Sequence, residues 1–321
     1  MTVAAVPETV GQAGGRIVHV DRPGGVRLRA AVFGAAPGAS EATCGSHRGR
    51  CLLLHGYTEF IEKHLETIGE LTGRGFEVAT FDWRGQGLST RLLADRHRGH
   101  IDRMETHLDD LRAVLDGLEG FGAAPLTVVG HSMGGHIALR HCLESPDRVA
   151  RAALIAPMLG IGRRGLPTGL ARLLVEFFCR TPLLERYIFG GAGYGPRRQR
   201  FEGNLLTDDR ERFDGLHRLL ASCPDLAVGD PTFAWVRAAF RSIATLSAPG
   251  TLERIRTPLL LALAGRERVV SNAAIETAAR RLPDARLVRF EDAKHEILRE
   301  RTPIRRSFWA AFDDFLAATG G

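Results

Sequence analysis

The chain reads as an α/β protein built on a doubly wound, mostly parallel sheet that is interrupted by a helical insertion. Three observations predict this. Short strand-like runs alternate with helical periodicities along most of the 321 residues, the pattern of consecutive βαβ units. Runs such as Cys51-Leu52-Leu53-Leu54 and Leu259-Leu260-Leu261-Ala262-Leu263 are continuously apolar, as strands covered on both faces must be. Between about 158 and 245 the alternation stops and only helical patterns remain.

In order, residues 1–15 form a loose arm. Arg16 to Val20 and Val26 to Phe33 flank Pro23-Gly24-Gly25, a hairpin signal. Residues 34–49 are rich in Gly, Ala and Ser and read as an exposed loop. After the strand at 51–54, helices are expected over 60–74 and 103–119, with a strand at 76–81 between them. Leu126 to Val129 and Ala152 to Ala156 are further strands. In the insertion, Leu170, Leu173, Leu174, Phe177 and Phe178 recur at helical spacing, and more helix follows around 208–221 and 232–245. The Gly/Arg-rich stretch 190–200 follows no strand and lacks a Gly-Lys-Ser/Thr ending, so it reads as a hinge rather than a phosphate cradle. Strands at 259–263 and 286–290 and a last helix near 303–317 complete the pattern. The domains expected are a core of 1–157 and 246–321, and a cap of 158–245.

Composition narrows the function classes. A mean hydropathy of −0.07 and 44% hydrophobic residues describe a globular chain with a real core, and no run approaches the roughly 18 apolar residues of a membrane span. The start lacks a basic segment followed by an apolar one, so a secretory leader is not expected. Five scattered cysteines suit reduced thiols in the cytoplasm. The net charge of +6 is carried almost wholly by arginine, Lys63 and Lys294 being the sole lysines. Codon bias explains that surplus, and attraction to an anionic membrane, on the cytoplasmic face of the inner membrane, is the functional counterpart. The basic residues form no dense run and no nucleic-acid module, so nucleic acid is not an expected partner.

The chemistry concentrates at Gly130-His131-Ser132-Met133-Gly134, which lies between a strand and a helical run beginning at Gly135. Strand, Gly-x-Ser-x-Gly, helix is the setting of a nucleophile elbow. A serine hydroxyl needs a base, and the base an orienting acid; in this layout they follow in the order serine, acid, histidine. Of twelve histidines, His295 alone lies after both a late strand and a candidate acid. Glu267 is the first carboxylate after the 259–263 strand and is the expected acid, with Asp292 too close in sequence to His295 to be favoured. The oxyanion donors expected are the N–H groups of Met133 and of Tyr57, in the loop after 51–54, where Gly56 lets the backbone turn toward the serine. His55 and His131 flank these segments and are candidate pocket residues, though His55 suits a structural hydrogen bond better. Phe177, Phe178 and Tyr187 are candidates for an acyl-binding surface. No metal or organic cofactor is required.

His55-Gly56, Asp82-Trp83-Arg84-Gly85-Gln86-Gly87-Leu88-Ser89, Gly130 to Gly135 and Lys294-His295-Glu296-Ile297-Leu298 resemble the bacterial lysophospholipases, the α/β-hydrolase branch that also holds the monoacylglycerol lipases. Thr58-Glu59-Phe60-Ile61-Glu62-Lys63 and Glu267 to Asn272 are closest to that branch. The resemblance implies an α/β-hydrolase fold with an inserted cap and hydrolysis of an ester bearing one fatty acyl chain. Glu267 departs from it, because aspartate is usual there. Arg163, Arg164, Arg197, Arg198 and Arg200 are candidates for a phosphodiester headgroup. A monoacylglycerol lipase or general carboxylesterase, an acyltransferase with an alcohol acceptor and a non-catalytic receptor are the alternative readings. A serine at 132 speaks against dehalogenase or epoxide hydrolase chemistry, which needs a carboxylate nucleophile.

Overall fold

The computed structural model describes residues 9–36, 48–123, 125–162 and 168–320. Arg163, Arg164, Cys44 and most of the arm and the loop expected at 34–49 lie outside them.

Eight strands form one sheet in the order β1-β2-β4-β3-β5-β6-β7-β8. The hairpin signal corresponds to β1 (Gly15–Arg22) and β2 (Val26–Phe33), which pair antiparallel, with Arg22 opposite Val26. Gly24 and Gly25 both take positive φ in the turn, a conformation that favours glycine. β3 (Arg50–Leu54), β4 (Glu77–Phe81), β5 (Leu126–His131), β6 (Val149–Ile155), β7 (Leu259–Ala264) and β8 (Ala285–Phe290) run parallel to one another.

Alternate side chains of the buried strands enter opposite layers. Leu52 and Leu54 pack with Leu108, Leu111 and Leu115 of α2 (Glu105–Gly117) and with α3 (Met133–Glu144). Cys51 and Leu53 face Ile68 and Leu71 of α1 (Leu65–Gly73) and the phenylalanines of α8 (Thr302–Thr319). Each such leucine, fully buried, contributes about 2 kcal/mol of transfer free energy. That two-sided covering is why these strands read as unbroken apolar runs.

β3 is flanked by β4 on one side and β5 on the other. The winding direction therefore reverses between β3 and β5, and the carboxyl ends of these two strands open a crevice where open α/β sheets bind their ligands. The loop at His55-Gly56 and the elbow at Ser132 leave from those two ends.

Between β6 and β7 lie α4 (Thr168–Phe178), α5 (Arg210–Ser222) and α6 (Phe233–Ser247), and no strand among the described residues. Asp209 and Thr232 cap α5 and α6 by accepting the N–H groups of Arg212 and Trp235, a standard use of these residue types. α4 rests on α6 through Val175, Phe178 and Cys179 packed around Phe233. α7 (Asn272–Arg281) then joins β7 to β8. Among the described residues no helix is long and apolar enough to cross a membrane.

Candidate active site

Ser132 has φ 52° and ψ −114°, a strained backbone for a non-glycine residue that costs of order 1–3 kcal/mol. The neighbours hold it there. Its N–H donates to the Ile155 carbonyl at 2.9 Å, and its own carbonyl accepts from His136 and Met158, each at 3.0 Å. The flanking glycines are steric necessities. A Cβ on Gly134 would lie 2.2 Å from the Leu54 carbonyl oxygen, and one on Gly130 would lie 2.8 Å from the Cα of Gly135. Strand β5, the turn and α3 can pass this close only without side chains, and the result is a serine at the positive end of a helix.

His295 follows β8 and Glu267 follows β7. His295 Nε2 is 3.0 Å from Ser132 Oγ, and its Nδ1 is 2.7 Å from Glu267 Oε2. The other Glu267 oxygen accepts the backbone N–H groups of Arg268, Val269 and Val270 at 2.9, 2.7 and 3.2 Å. Burial opposes the carboxylate charge, but the His295 hydrogen bond and those N–H groups outweigh it and hold the carboxyl below the usual range. The glutamate thus stays an anion, able to fix the imidazole with Nδ1 protonated and Nε2 facing the serine.

The loop after β3 lies directly over the serine, since a Cβ on Gly56 would sit 3.1 Å from Ser132 Cβ. On either side of Tyr57 the backbone is anchored. The Gly56 N–H donates to Glu59 Oε2 and the Thr58 N–H to Gln86 Oε1, both at 2.5 Å, and Thr58 takes φ 65°. Among the described residues no acceptor takes the N–H of Tyr57 or of Met133. Gln86 belongs to the Asp82-to-Ser89 turn, whose Asp82 receives the N–H groups of Ile61 and Leu88 at 3.0 and 2.8 Å and the Arg29 guanidinium. Gly87 is required there, because a Cβ would strike that carboxylate.

Sequence reasoning missed the charged cluster behind this loop. Glu59 is buried, and its Oε2 meets His131 Nδ1 at 3.0 Å and His64 Nε2 at 3.1 Å, while its Oε1 accepts from Lys63 Nζ at 2.7 Å. Lys63 also donates to Glu296 at 2.6 Å. One carboxylate therefore ties together the loop after β3, the elbow and, through Lys63, the segment carrying His295. Burial resists charge on His131, but the adjacent Glu59 prevails and raises its pKa. Glu59 itself is held well below the usual range, by His131 and Lys63 against its burial. The other lysine, Lys294, which precedes His295, is anchored away from this cluster, to the Asn204 carbonyl at 3.0 Å and to Asp208 at 2.7 Å.

Ser132, His295, Tyr57 and His131 line a cavity of about 530 Å³. Its apolar lining comes from Leu205, Leu206 and the α5 residues Phe213, Leu216 and Leu220; Arg197, Arg198 and Arg200 also line it, as do Glu202 and Asp230, and Asp230 pairs with Arg198. Three of the expected pocket residues are elsewhere. Phe177, Phe178 and Tyr187 do not line the cavity. Phe178 packs edge-on to Phe177 and Phe189, and Tyr187 donates to Asp95 at 3.1 Å. His55 is also outside it: fully buried, it accepts the Trp83 indole N–H at its carbonyl and sets its Nε2 3.7 Å from Asp82. Among the described residues no group of three or more His, Cys, Asp or Glu side chains is disposed to hold a metal.

A mostly parallel eight-stranded sheet that delivers a serine, a histidine and a carboxylate on successive strand-end loops defines a serine hydrolase of the α/β-hydrolase class. The chain belongs to the family described as "Serine aminopeptidase, S33", which it matches over residues 45–302. It is 33% identical to lysophospholipase L2 of Escherichia coli over 84% of this chain and 81% of that one, and 29% identical to a probable lysophospholipase L2 of Haemophilus influenzae over 83% and 82%. In fold it is similar to a soluble variant of the monoglyceride lipase of Saccharomyces cerevisiae, at a TM-score of 0.73 and 16% identity over 98% of this chain and all of that one. The chain is accordingly a carboxylic ester hydrolase.

Proposed function

We propose that the enzyme hydrolyses lysophospholipids to a free fatty acid and a glycerophosphodiester, through an acyl-enzyme on Ser132. The observation that carries this reading is the continuous Ser132–His295–Glu267 hydrogen-bond relay opening onto a cavity lined by apolar side chains and by Arg197, Arg198 and Arg200. The near full-length similarity to lysophospholipase L2 of Escherichia coli supports it.

In the mechanism, Ser132 Oγ attacks the ester carbonyl carbon as His295 Nε2 takes its proton. The carbonyl oxygen becomes an oxyanion, held by the N–H groups of Tyr57 and Met133, a contribution of about 3 kcal/mol per donor in comparable sites. Glu267 remains ionised and stabilises the imidazolium. The C–O bond to the glycerol oxygen breaks, and that oxygen leaves with the proton from His295. Water, deprotonated by His295, then attacks the acyl-enzyme; the bond to Ser132 Oγ breaks, the proton returns to the serine, and the fatty acid departs.

The segment 158–245 serves as a cap on a core formed by 1–157 and 246–321. The acyl chain lies along Leu206, Phe213, Leu216 and Leu220, and the phosphate faces Arg197 and Arg200. The enzyme works in the cytoplasm, at the inner face of an anionic membrane. Turnover of a lysophospholipid against a monoacylglycerol of the same acyl chain tests the reading. A kcat/KM at least tenfold higher for the phosphate-bearing ester is expected. Equal values, or a preference for the uncharged ester, would make the enzyme a monoacylglycerol lipase or general esterase.

A further inference from the structure

Glu300 is fully buried and has no part in the acyl transfer itself. Asp82 and Asp110, buried as deeply, each meet an arginine at 2.6 Å. Glu300 instead receives backbone N–H groups. Its Oε1 accepts from Lys294 at 3.0 Å and from Asp208 at 3.1 Å, and its Oε2 accepts from Arg301 at 3.1 Å. A carboxyl group taken out of water needs such donors, and where they come from is informative. Lys294 immediately precedes the base His295, whereas Asp208 belongs to the insertion, 92 residues from Glu300 along the chain. One oxygen thus joins two backbones that are remote in sequence.

The same two segments meet four more times. The Glu296 N–H donates to the Leu206 carbonyl at 2.8 Å, and the Thr207 hydroxyl donates to the Arg299 carbonyl at 2.8 Å. The Lys294 ammonium donates to the Asn204 carbonyl at 3.0 Å and meets the Asp208 carboxylate at 2.7 Å. Residues 294 and 296 are therefore both clamped, with His295 between them. Across the clamp, Asn204 Oδ1 accepts the N–H groups of Leu206 and Thr207 at 2.9 and 3.0 Å, which folds 204–208 into a turn whose Leu205 and Leu206 line the cavity. The base needs this support. β8 ends at Phe290, so His295 lies beyond the sheet, yet it must hold Ser132 at 3.0 Å and Glu267 at 2.7 Å at once. A displacement of about 1 Å in such a group costs about 10²-fold in rate.

We infer that Glu300 is a positioning residue for the reaction, locking the loop that carries His295 to residues 204–208 of the insertion, with the Lys294–Asp208 pair as a second tie. Glu300 is not part of the cavity lining and acts through the backbone of Lys294. The insertion then does more than cover the site: the turn that supplies Leu205 and Leu206 to the cavity also sets the base. The inference rests on ester chemistry at Ser132 and His295, not on which ester is cleaved.

The test measures rates per competent site, counted by burst titration with an activated short-chain ester. For each variant, kcat and KM for a short-chain water-soluble ester are compared with the rate at which a small fluorophosphonate inactivates Ser132. Glu300→Gln keeps the side chain's size but turns one acceptor into a donor. Its kcat and inactivation rate should each fall about 10- to 100-fold, with KM within about twofold of the wild type. Lys294→Met keeps the apolar stem and cuts the second tie, so both rates should fall less, about three- to tenfold, and Lys294→Arg should recover most of the loss. Arg241→Gln, which severs the tie between α6 and Glu176 of α4, should leave both rates unchanged. A purely structural role would lower the number of competent sites or the thermal midpoint while surviving sites kept wild-type rates. That result, or a change in KM alone, overturns the inference. Should Glu300→Gln not fold, Lys294→Met and its arginine rescue decide by the same criteria. Short-ester turnover with no action on lysophospholipids would remove the proposed substrate, while the variants would still report on the clamp.

Discussion

The floor and the roof of the cavity are built on opposite principles. The floor is the carboxyl edge of the sheet, where Ser132 sits strained between glycines that tolerate no Cβ, and where Glu59, Lys63, His131 and Glu296 are buried and mutually paired. The other part, termed the roof, is the stretch between β6 and β7: residues from Tyr194 to Pro231 line the cavity, while its first helix stands outside that lining and leaves leucines and phenylalanines in solvent. A preorganised floor stabilises a developing oxyanion without having to reorganise during the reaction. The roof's first helix, by contrast, leaves much of its apolar surface uncovered.

The largest effects should therefore come from the floor. Ser132→Ala removes the nucleophile and should lower kcat by about 10⁴-fold or more while leaving the thermal midpoint near the wild-type value. Glu267→Gln preserves the shape of the acid but not its charge, and a loss of about 10²- to 10⁴-fold in kcat with little change in KM is expected. Near-normal rates from steady-state kinetics would reassign the acid.

Stability should also betray the floor, through its histidines. Burial pushes His107 and His136 down to about 3 and His64 to about 4, with neighbouring Arg84 and Arg140 adding to the first two and Glu59 opposing the last. An unfolded histidine binds its proton below about pH 6.5. The stabilisation is thus fully present above that pH and is lost as pH falls toward 3 to 4. Glu59 and Glu267, held below the usual carboxylate range, add a second loss that begins only below about pH 4.3. Denaturant titrations should show stability declining from about pH 6.5 downward, and His107→Phe should make that decline shallower. A stability flat from pH 7 to 4.5 would contradict the burial of neutral imidazoles.

The roof should respond more gently. Leu216→Ala removes apolar surface from the cavity wall and should reduce kcat/KM for long acyl chains by about tenfold, with little effect on short ones. A uniform loss across chain lengths would move the acyl chain elsewhere.

Legibility in the sequence divides along the same line. Ser132 and His295 could be read because the elbow needs glycines at fixed offsets and because chain order leaves one histidine. Glu267 could be read as the first carboxylate past an unmistakable strand. The Glu59 hub could not, since its partners are 4, 5, 72 and, through Lys63, 237 residues away, and only the folded chain brings them together. In the roof, periodicity gave α4 correctly, but spacing does not say which side of a doubly apolar helix is covered. Phe177, Phe178 and Tyr187 were therefore expected at the acyl pocket, whereas Phe213 and Leu216, on a helix with a polar majority, line the cavity that holds Ser132.

The central claim is that acyl transfer passes through Ser132 under control of this floor. Rapid quenching during turnover of a lysophospholipid, followed by mass analysis of the protein and its peptides, tests it most directly. A fatty-acyl adduct confined to the peptide containing Ser132, and lost in Ser132→Ala, is the predicted result. Turnover in Ser132→Ala, or an acyl group on any other residue, would contradict it.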